Sequence, residues 1–370
     1  MRAVIIGDST HNTLSAVRSF GEAKIPQLLL LVCNHDVCFV KHSKYLKHNN
    51  CYAVSSLDDC LPLLEIISKE SDQQTLITTF DAAAEWVDNR ELQLNQWFRT
   101  PCRGKQLGNL FNKAEQCQLA KKCGFDVPYS IIFHRTNSLP ETVNHFPIIL
   151  KPLVSTGGTK RDIHICNCKE DFIKALAENS NCEHFLLQEY IEKEYEINAI
   201  GVATDDNVVI GGGIRKFRHW PDIVGTCSYG LFDNIRNYNM NTEFIKNFIK
   251  ISGYHGPFSI ELLHTKCGRN YFMEVNFRND GLAYASTCAG VNLHALYMDL
   301  SKSINWRRFR RIYMMNYSID FLHVKENSLS LSDWIKDFMK TRCFINVCFT
   351  DIKPTVYYYK NKIQKRLSLS

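Results

Sequence analysis

The chain has 370 residues, 45% of them hydrophobic and 22% charged, and carries a net charge of +6. That length allows two or three domains with real cores, and the composition is that of a folded globular protein, which sets aside disordered and fibrous classes. No apolar run reaches the roughly 18 residues of a membrane span, and residues 1–7 read as a strand, not a secretory leader. The basic clusters, Trp306-Arg-Arg-Phe-Arg-Arg311 and Lys360 to Arg366, come without a nucleic-acid motif, so a cytoplasmic protein with no nucleic-acid partner is expected. Fifteen cysteines are scattered without a repeating spacing, and Cys166-Asn-Cys168 lacks the second pair of a zinc site. Reduced structural thiols are the expectation, with Cys33 and Cys38 as singletons.

Strand and helix signals alternate from the start: strand Ala3–Ile6, helix Thr13–Glu22, strand Gln27–Cys33, helix Leu57–Lys69, strand Thr75–Thr79. This rhythm predicts a small parallel α/β domain over 1–105 that carries a substrate edge. Its first turn, Gly7-Asp-Ser-Thr-His-Asn, lacks the GxGxxG of a dinucleotide site. A helix over Lys113–Cys123 follows, stopped by Gly124 and the Val127-Pro128 breaker. Strands Ile148–Pro152 and Asp162–Cys166, helix Lys169–Glu178 and strand Phe185–Gln188 complete a second unit, 106–192. From 195 to 290 the pattern is mostly antiparallel β: Glu196–Ala203, Val208–Ile214 and a hairpin, with helices near 241–251 and 291–300. Residues 306–370 parse poorly and are taken as an extension of unclear role. The fold class expected is α/β (α+β).

The hairpin is the most informative segment. Phe258, Ile260 and Leu262 alternate on one arm and Met273, Val275 and Phe277 on the other, the period of half-buried strands. If the hairpin is symmetric about Cys267-Gly268, Glu261 falls opposite Glu274, a destabilising pairing of like charges unless a cation lies between them. Asn276 and Arg278 follow Glu274 at two-residue steps on the same face. Two carboxylates, a carboxamide and a guanidinium suit Mg²⁺ with phosphate oxygens; a solvated hairpin face is the bland alternative.

Upstream, Lys151 ends an apolar strand, where a buried lysine calls for an anion. Ser155-Thr-Gly157-Gly158-Thr-Lys160 could let backbone N–H groups approach phosphate, or form a plain hairpin tip. Gln188-Glu189-Tyr190-Ile191 ends a strand where backbone groups could read an adenine edge, while Ile191 and Tyr190 cover its faces. Glu194 and Glu196 sit on the polar face of the next strand, where either could hold ribose hydroxyls or balance a lysine. The stretch Arg215-Lys216-Phe-Arg218-His219 could clamp an acceptor carboxylate or form a solvated positive loop, and Asp280-Gly281 would line the same pocket. His264 and His323 have no partner legible in the sequence and read as core or surface histidines.

In order and spacing, Lys113 before the Gly-Phe-Asp-Val-Pro break, Lys151-Pro with its glycine loop, Gln188-Glu-Tyr-Ile, Glu194, Glu261 and Glu274-Val-Asn276-Phe-Arg278 resemble the ATP-grasp superfamily. The likeness covers about residues 1–300 and is to the carbamoyl-phosphate-synthase-like carboxylate–amine ligases. It implies an ATP-grasp fold with an N-terminal pre-ATP-grasp domain over 1–105, a lid subdomain over 106–192 and a subdomain with the Mg-ATP site over 193–305. Lys113 and Lys151 would meet the ATP phosphates beneath a lid holding Gly157 and Gly158. Gln188, Glu189, Tyr190 and Ile191 would frame the adenine, with Glu194 or Glu196 at the ribose. Glu261, Glu274 and Asn276 would bind two Mg²⁺ (Mn²⁺ is an alternative), and Arg278 would stabilise the transferring phosphoryl group. Gln188, where relatives often carry Glu, and Glu192-Lys193 in place of a Pro-Gly turn depart from the pattern.

The expected reaction joins a small carboxylic acid to an amine through an acyl phosphate, with release of ADP and phosphate. A carboxylate kinase or carbamoyl-phosphate-type synthetase, and a non-catalytic ATP-binding partner protein, are the alternatives. A homodimer is possible. The basic, aromatic stretch after Asp351 could touch a membrane surface or a pathway enzyme, though packing against the ATP domain is the simpler expectation.

Overall fold

The structure, a computed structural model, describes all residues except 34–37, 72, 103–106, 138–144, 155–161, 206, 223–224, 300–303 and 368–370. Four strands open the chain: β1 (Arg2–Gly7), β2 (Gln27–Val32), β3 (Cys51–Val54) and β4 (Gln74–Thr78). They form a sheet in the order β3-β2-β1-β4 with every pairing parallel. Near-continuous apolar runs such as Ala3–Ile6 and Leu28–Leu31 are what a parallel sheet covered on both faces requires. Strand order reverses between β1 and β4, so the loops after them flank a crevice at the sheet's carboxyl edge.

A second sheet, in the order β5-β8-β6-β7, is built from β5 (Ser130–His134), β6 (Ile148–Pro152), β7 (His164–Cys166) and β8 (His184–Glu189). The helix Lys169–Glu178 covers it, and Phe133, Ile148, Leu150, Phe172, Phe185 and Leu187 form a small core of its own. The preceding helix, Lys113–Lys122, belongs elsewhere: Cys117 and Ala120 share a core with Phe272 and Val275 of the large sheet.

That large sheet has seven strands in the order β13-β12-β9-β10-β11-β14-β15. They are β9 (Tyr195–Ala203), β10 (Val208–Trp220), β11 (Thr226–Asp233), β12 (Pro257–His264), β13 (Asn270–Asn276), β14 (Ile312–Met315) and β15 (Thr341–Phe344). The basic stretch 215–219, expected beyond a strand ending at Ile214, is thus strand throughout. The sheet also runs past residue 305: β14 pairs with β11, and β15 with β14, so residues expected to form a separate extension complete its far edge.

The tail packs on the N-terminal domain, a correction to the expected contact with the ATP domain. Asp351 is buried and accepts from Arg18 Nε at 3.1 Å, Ser43 Oγ at 2.9 Å and the Lys44 N–H at 2.7 Å. The helix Lys353–Leu367 then lays Tyr357 against His42 and Tyr358 against Phe39. A second correction concerns the thiols: Cys33 and Cys38 form a disulfide, and the other thirteen cysteines form none. A third is Met273, expected in the core. The β12–β13 ladder pairs Glu261 with Glu274 but Leu262 with Phe272, and the extra residue turns Met273 out of the core. Gly268 takes φ 81° in the hairpin turn, a conformation side chains disfavour.

Candidate functional site

A cleft opens between the lid sheet and the large sheet, with Ile149, Ile163 and Ile165 on one wall and Leu263 and Met273 on the other. Apolar walls from two facing sheets make a slot for a flat, aromatic group. Tyr190 and Ile191 line its hinge end, and Lys151, Lys193, Glu196, Glu261 and Glu274 its polar end. The bulge at Met273 is what lets that residue and Glu274 both face the cleft.

The two lysines are brought together by backbone ties. Asn112 caps the helix Lys113–Lys122 by accepting from the Ala114 N–H at 2.8 Å, and the Lys113 N–H donates to the Leu153 carbonyl at 3.0 Å. Lys113 thereby stands at a helix N-terminus two residues in space from the end of β6, where backbone donors and dipole favour anions. Both lysines are buried. Burial, and then the neighbouring Lys113, push the Lys151 ammonium down to about 8. Its Nζ donates to Gln188 Oε1 at 3.1 Å, and Gln188 Nε2 donates to Ser130 Oγ at 2.9 Å. A neutral amide at 188 therefore holds the lysine without cancelling its charge.

Across the large sheet, register sets Glu274 opposite Glu261 and Glu261 opposite Asn198, one row over three adjacent strands. Strands lie about 4.8 Å apart, so the three side chains share a face at contact range. Lys113 Nζ is 3.7 Å from Glu274 Oε2. Glu261 accepts from Lys216 Nζ at 2.9 Å and from Asn198 Nδ2 at 3.5 Å. Asn198 is 1% exposed, and its Oδ1 has no hydrogen-bond partner among the described residues. An unsatisfied buried oxygen beside two carboxylates is a donor set suited to a cation. With two buried lysines adjacent, the donor set fits a hard divalent ion and a polyphosphate.

Lys216 sits between two acids, also accepted by Glu196 at 3.0 Å. Burial works to lower its ammonium, but Glu261 and Glu196 overcome this and hold it above its ordinary value. Burial likewise works to raise the Glu196 carboxyl, while Lys216, His219 and Lys193 bring it well below the carboxylate range. Glu194 is different: its N–H donates to the His264 carbonyl at 2.7 Å and its exposed carboxylate lies 3.9 Å from Arg215. Of the two ribose candidates, Glu196 lines the cleft but is fully engaged, and Glu194 stands at the rim.

Several expected groupings come apart. Arg215 and Lys216, adjacent on β10, project to opposite faces, so they do not form one clamp. Arg215 lies 3.9 Å over the Tyr195 ring. Arg218 is tied to Asp320 at 2.9 Å and Asp337 at 2.7 Å. Asn276 accepts from Arg278 Nη2 at 3.0 Å and donates to Ser259 Oγ at 3.2 Å, so its oxygen faces the guanidinium, not the two glutamates. Arg278 itself donates from Nε to Asp81 Oδ1 at 3.0 Å, at the crevice after β4. Asp280 accepts from Ser259 Oγ at 2.8 Å, and the Gly281 N–H donates to Asn12 at 2.8 Å, which fastens both to the domain junction. The Glu189 N–H is committed to the Tyr129 carbonyl at 2.8 Å. Gly157 and Gly158 lie outside the described residues. His264 stacks on Tyr195 and pairs with Asn270 at 2.7 Å, and His323 is buried against Trp220.

Residues 111–300, half of the chain, match the RimK-like ATP-grasp domain family. The chain belongs to that family and is an ATP-dependent ligase of the ATP-grasp type. Among solved structures it is similar to N5-carboxyaminoimidazole synthetase from Staphylococcus aureus complexed with ADP, at 15% identity and a TM-score of 0.66, covering 88% of this chain and 86% of that one. It is also similar to L-amino acid ligase from Bacillus licheniformis (14%, 0.62, covering 80% and 73%) and to biotin carboxylase from Campylobacter jejuni (15%, 0.63, covering 84% and 74%). At these identities the likeness is one of fold. No curated protein sequence matches the chain. Among the described residues no helix is long and apolar enough to cross a membrane.

Proposed function

We infer that the protein joins a small carboxylic acid to an amine, using ATP and Mg²⁺. The observation that carries this is the Glu274–Glu261–Asn198 row beside two buried lysines, at the mouth of an apolar slot. Lys113 and Lys151 would hold the phosphates; Glu261, Glu274 and Asn198 would hold Mg²⁺, whose charge offsets that of the triphosphate when bound. The base would lie between Ile149 and Ile165 on one side and Met273 and Leu263 on the other.

A carboxylate is a poor electrophile because oxide would have to leave. Its oxygen attacks the γ-phosphorus, the bond to the bridging oxygen breaks, and ADP departs with that electron pair. The amine then attacks the acyl carbon, phosphate leaves with the C–O pair, and the amine gives up a proton. Positioned cations carry such a transfer. Lys151, buried and near neutrality in its titration, and Arg278, aligned by Asp81, are the groups for it. Roles for Arg215 at the acceptor follow less directly, since it stacks on Tyr195.

The test is ADP release from the purified chain against amino acids and sugar acids, each with and without an amine. Glu274→Gln should lower turnover by about 10²–10³-fold, the scale of losing one electrostatic group. Full turnover in that variant would overturn the reading.

A further inference from the structure

At the edge of the lid sheet remote from the cleft, three side chains form a cluster unrelated to nucleotide chemistry. His134 ends β5 and His184 begins β8; register sets them opposite one another, with ring centroids 4.8 Å apart. Glu183 precedes His184, and one ligand atom from each of His134, Glu183 and His184 lies within 4.8 Å of the others. Thr136 Oγ1 is 2.7 Å from His134 Nδ1. The Arg135 N–H donates to the Glu183 carbonyl at 2.9 Å, so the backbone beneath the cluster is fixed on both strands.

We propose that His134, His184 and Glu183 bind a divalent transition-metal ion, with Zn²⁺ the best match. Two imidazoles and a carboxylate are a borderline-soft set that suits Zn²⁺ over Mg²⁺ or Ca²⁺, and water completes the tetrahedron. With metal–ligand bonds near 2.0–2.1 Å, tetrahedral donors stand about 3.3 Å apart. Rotation of exposed side chains covers the remaining gap, since Glu183 and His184 are both exposed. Thr136 holds the His134 ring at Nδ1 through its hydroxyl at 2.7 Å and its N–H at 3.3 Å; metal at Nε2 requires the Nδ1–H tautomer, in which the hydroxyl accepts and the longer N–H contact is given up.

The site's backbone connects to Lys113 in the cleft. The His184 carbonyl accepts from the Leu153 N–H at 3.1 Å, and the Leu153 carbonyl accepts from the Lys113 N–H at 3.0 Å. An ion bridging β5 and β8 would brace the strand pair from which that chain of bonds starts.

The experiment is Co²⁺ titration of the full chain after chelator treatment, read by visible absorption and repeated with Zn²⁺ as competitor. One Co²⁺ should bind per chain with a nitrogen–oxygen spectrum, and Zn²⁺ should displace it. Affinity should drop at least tenfold in His184→Ala and in His134→Gln. The substituted side chains are at the lid surface, and circular dichroism checks that each variant is folded. Unchanged affinity in both variants, absence of binding by the folded parent chain, or a thiolate charge-transfer band pointing to the cysteines, would each overturn the assignment.

Discussion

Replacing Lys216 by Met tests the charge balance of the site most directly. Its ammonium is 1% exposed and is shared by Glu196 at 3.0 Å and Glu261 at 2.9 Å, whose side chains are 15% and 16% exposed. Met keeps most of the volume, so the change removes charge and leaves two largely buried carboxylates, of which Glu196 retains Lys193 and His219. Breaking a buried pair from one side costs about 3–5 kcal/mol. At about 2 °C per kcal/mol in a chain of this size, thermal unfolding at pH 7 should come roughly 6–10 °C earlier. The sign with pH is fixed. In the parent, Glu196 titrates below its unfolded value, so its stabilisation is present above the ordinary carboxylate range and fades as pH falls through the lower folded value. In the variant Glu196 keeps Lys193 and His219 but loses its buried cation, so less of that stabilisation remains to be lost on acidification. The stability gap should therefore narrow as pH falls toward about 4.5, the region where carboxyls protonate. Mg²⁺ supplies the missing positive charge: at a concentration 100 times its Kd it should return about 2.7 kcal/mol. Unfolding curves at pH 7 and pH 4.5, with and without Mg²⁺, decide the matter. If the variant melts with the parent at pH 7, Lys216 does not neutralise the acids and the described balance is wrong.

Three further outcomes are expected. Lys151 titrates at about 8 in the folded protein against 10.5 when unfolded, so between those values the unfolded chain binds more protons and this group makes stability rise with pH; affinity for ADP, measured calorimetrically at pH 7, 8 and 9, should fall over the same range. Asn198→Leu keeps the shape and removes an oxygen with no partner, so stability should be close to unchanged while the Mg²⁺ requirement of ADP release rises about 10–100-fold. Asp351→Ala strands the buried Arg18 guanidinium and should cost about 3–5 kcal/mol in chemical unfolding, well above the effect of an exposed acid.

Much of the site was legible because strand period and hairpin symmetry are local. The pairing of Glu261 with Glu274 follows from alternation and a turn at Gly268, and β12 and β13 deliver it. The helix at Lys113 and the apolar strand before Lys151 were equally visible, since each carries its own stop signal. What sequence could not show was set by long-range geometry. The single extra residue at Met273 moves a side chain from core to cleft, and alternation alone cannot mark where a ladder slips. Asn198 lies two residues beyond Glu196 on the same polar strand face, yet its place in the carboxylate row depends on β9 lying beside β12. Asp81, which aligns Arg278, opens the helix Asp81–Asp88, 197 positions earlier. The separation of Arg215 from Lys216 did follow from strand period, but only once that stretch proves to be strand and not loop.

The clasp between Arg18 and Asp351 joins residues 333 positions apart. At about 5–20 residues per second on a ribosome, the guanidinium waits on the order of half a minute before its carboxylate has been made. Through that interval the nascent first domain must keep a charge hydrated that the finished molecule encloses, so the final packing of the helix His11–Glu22 is a late event in biosynthesis.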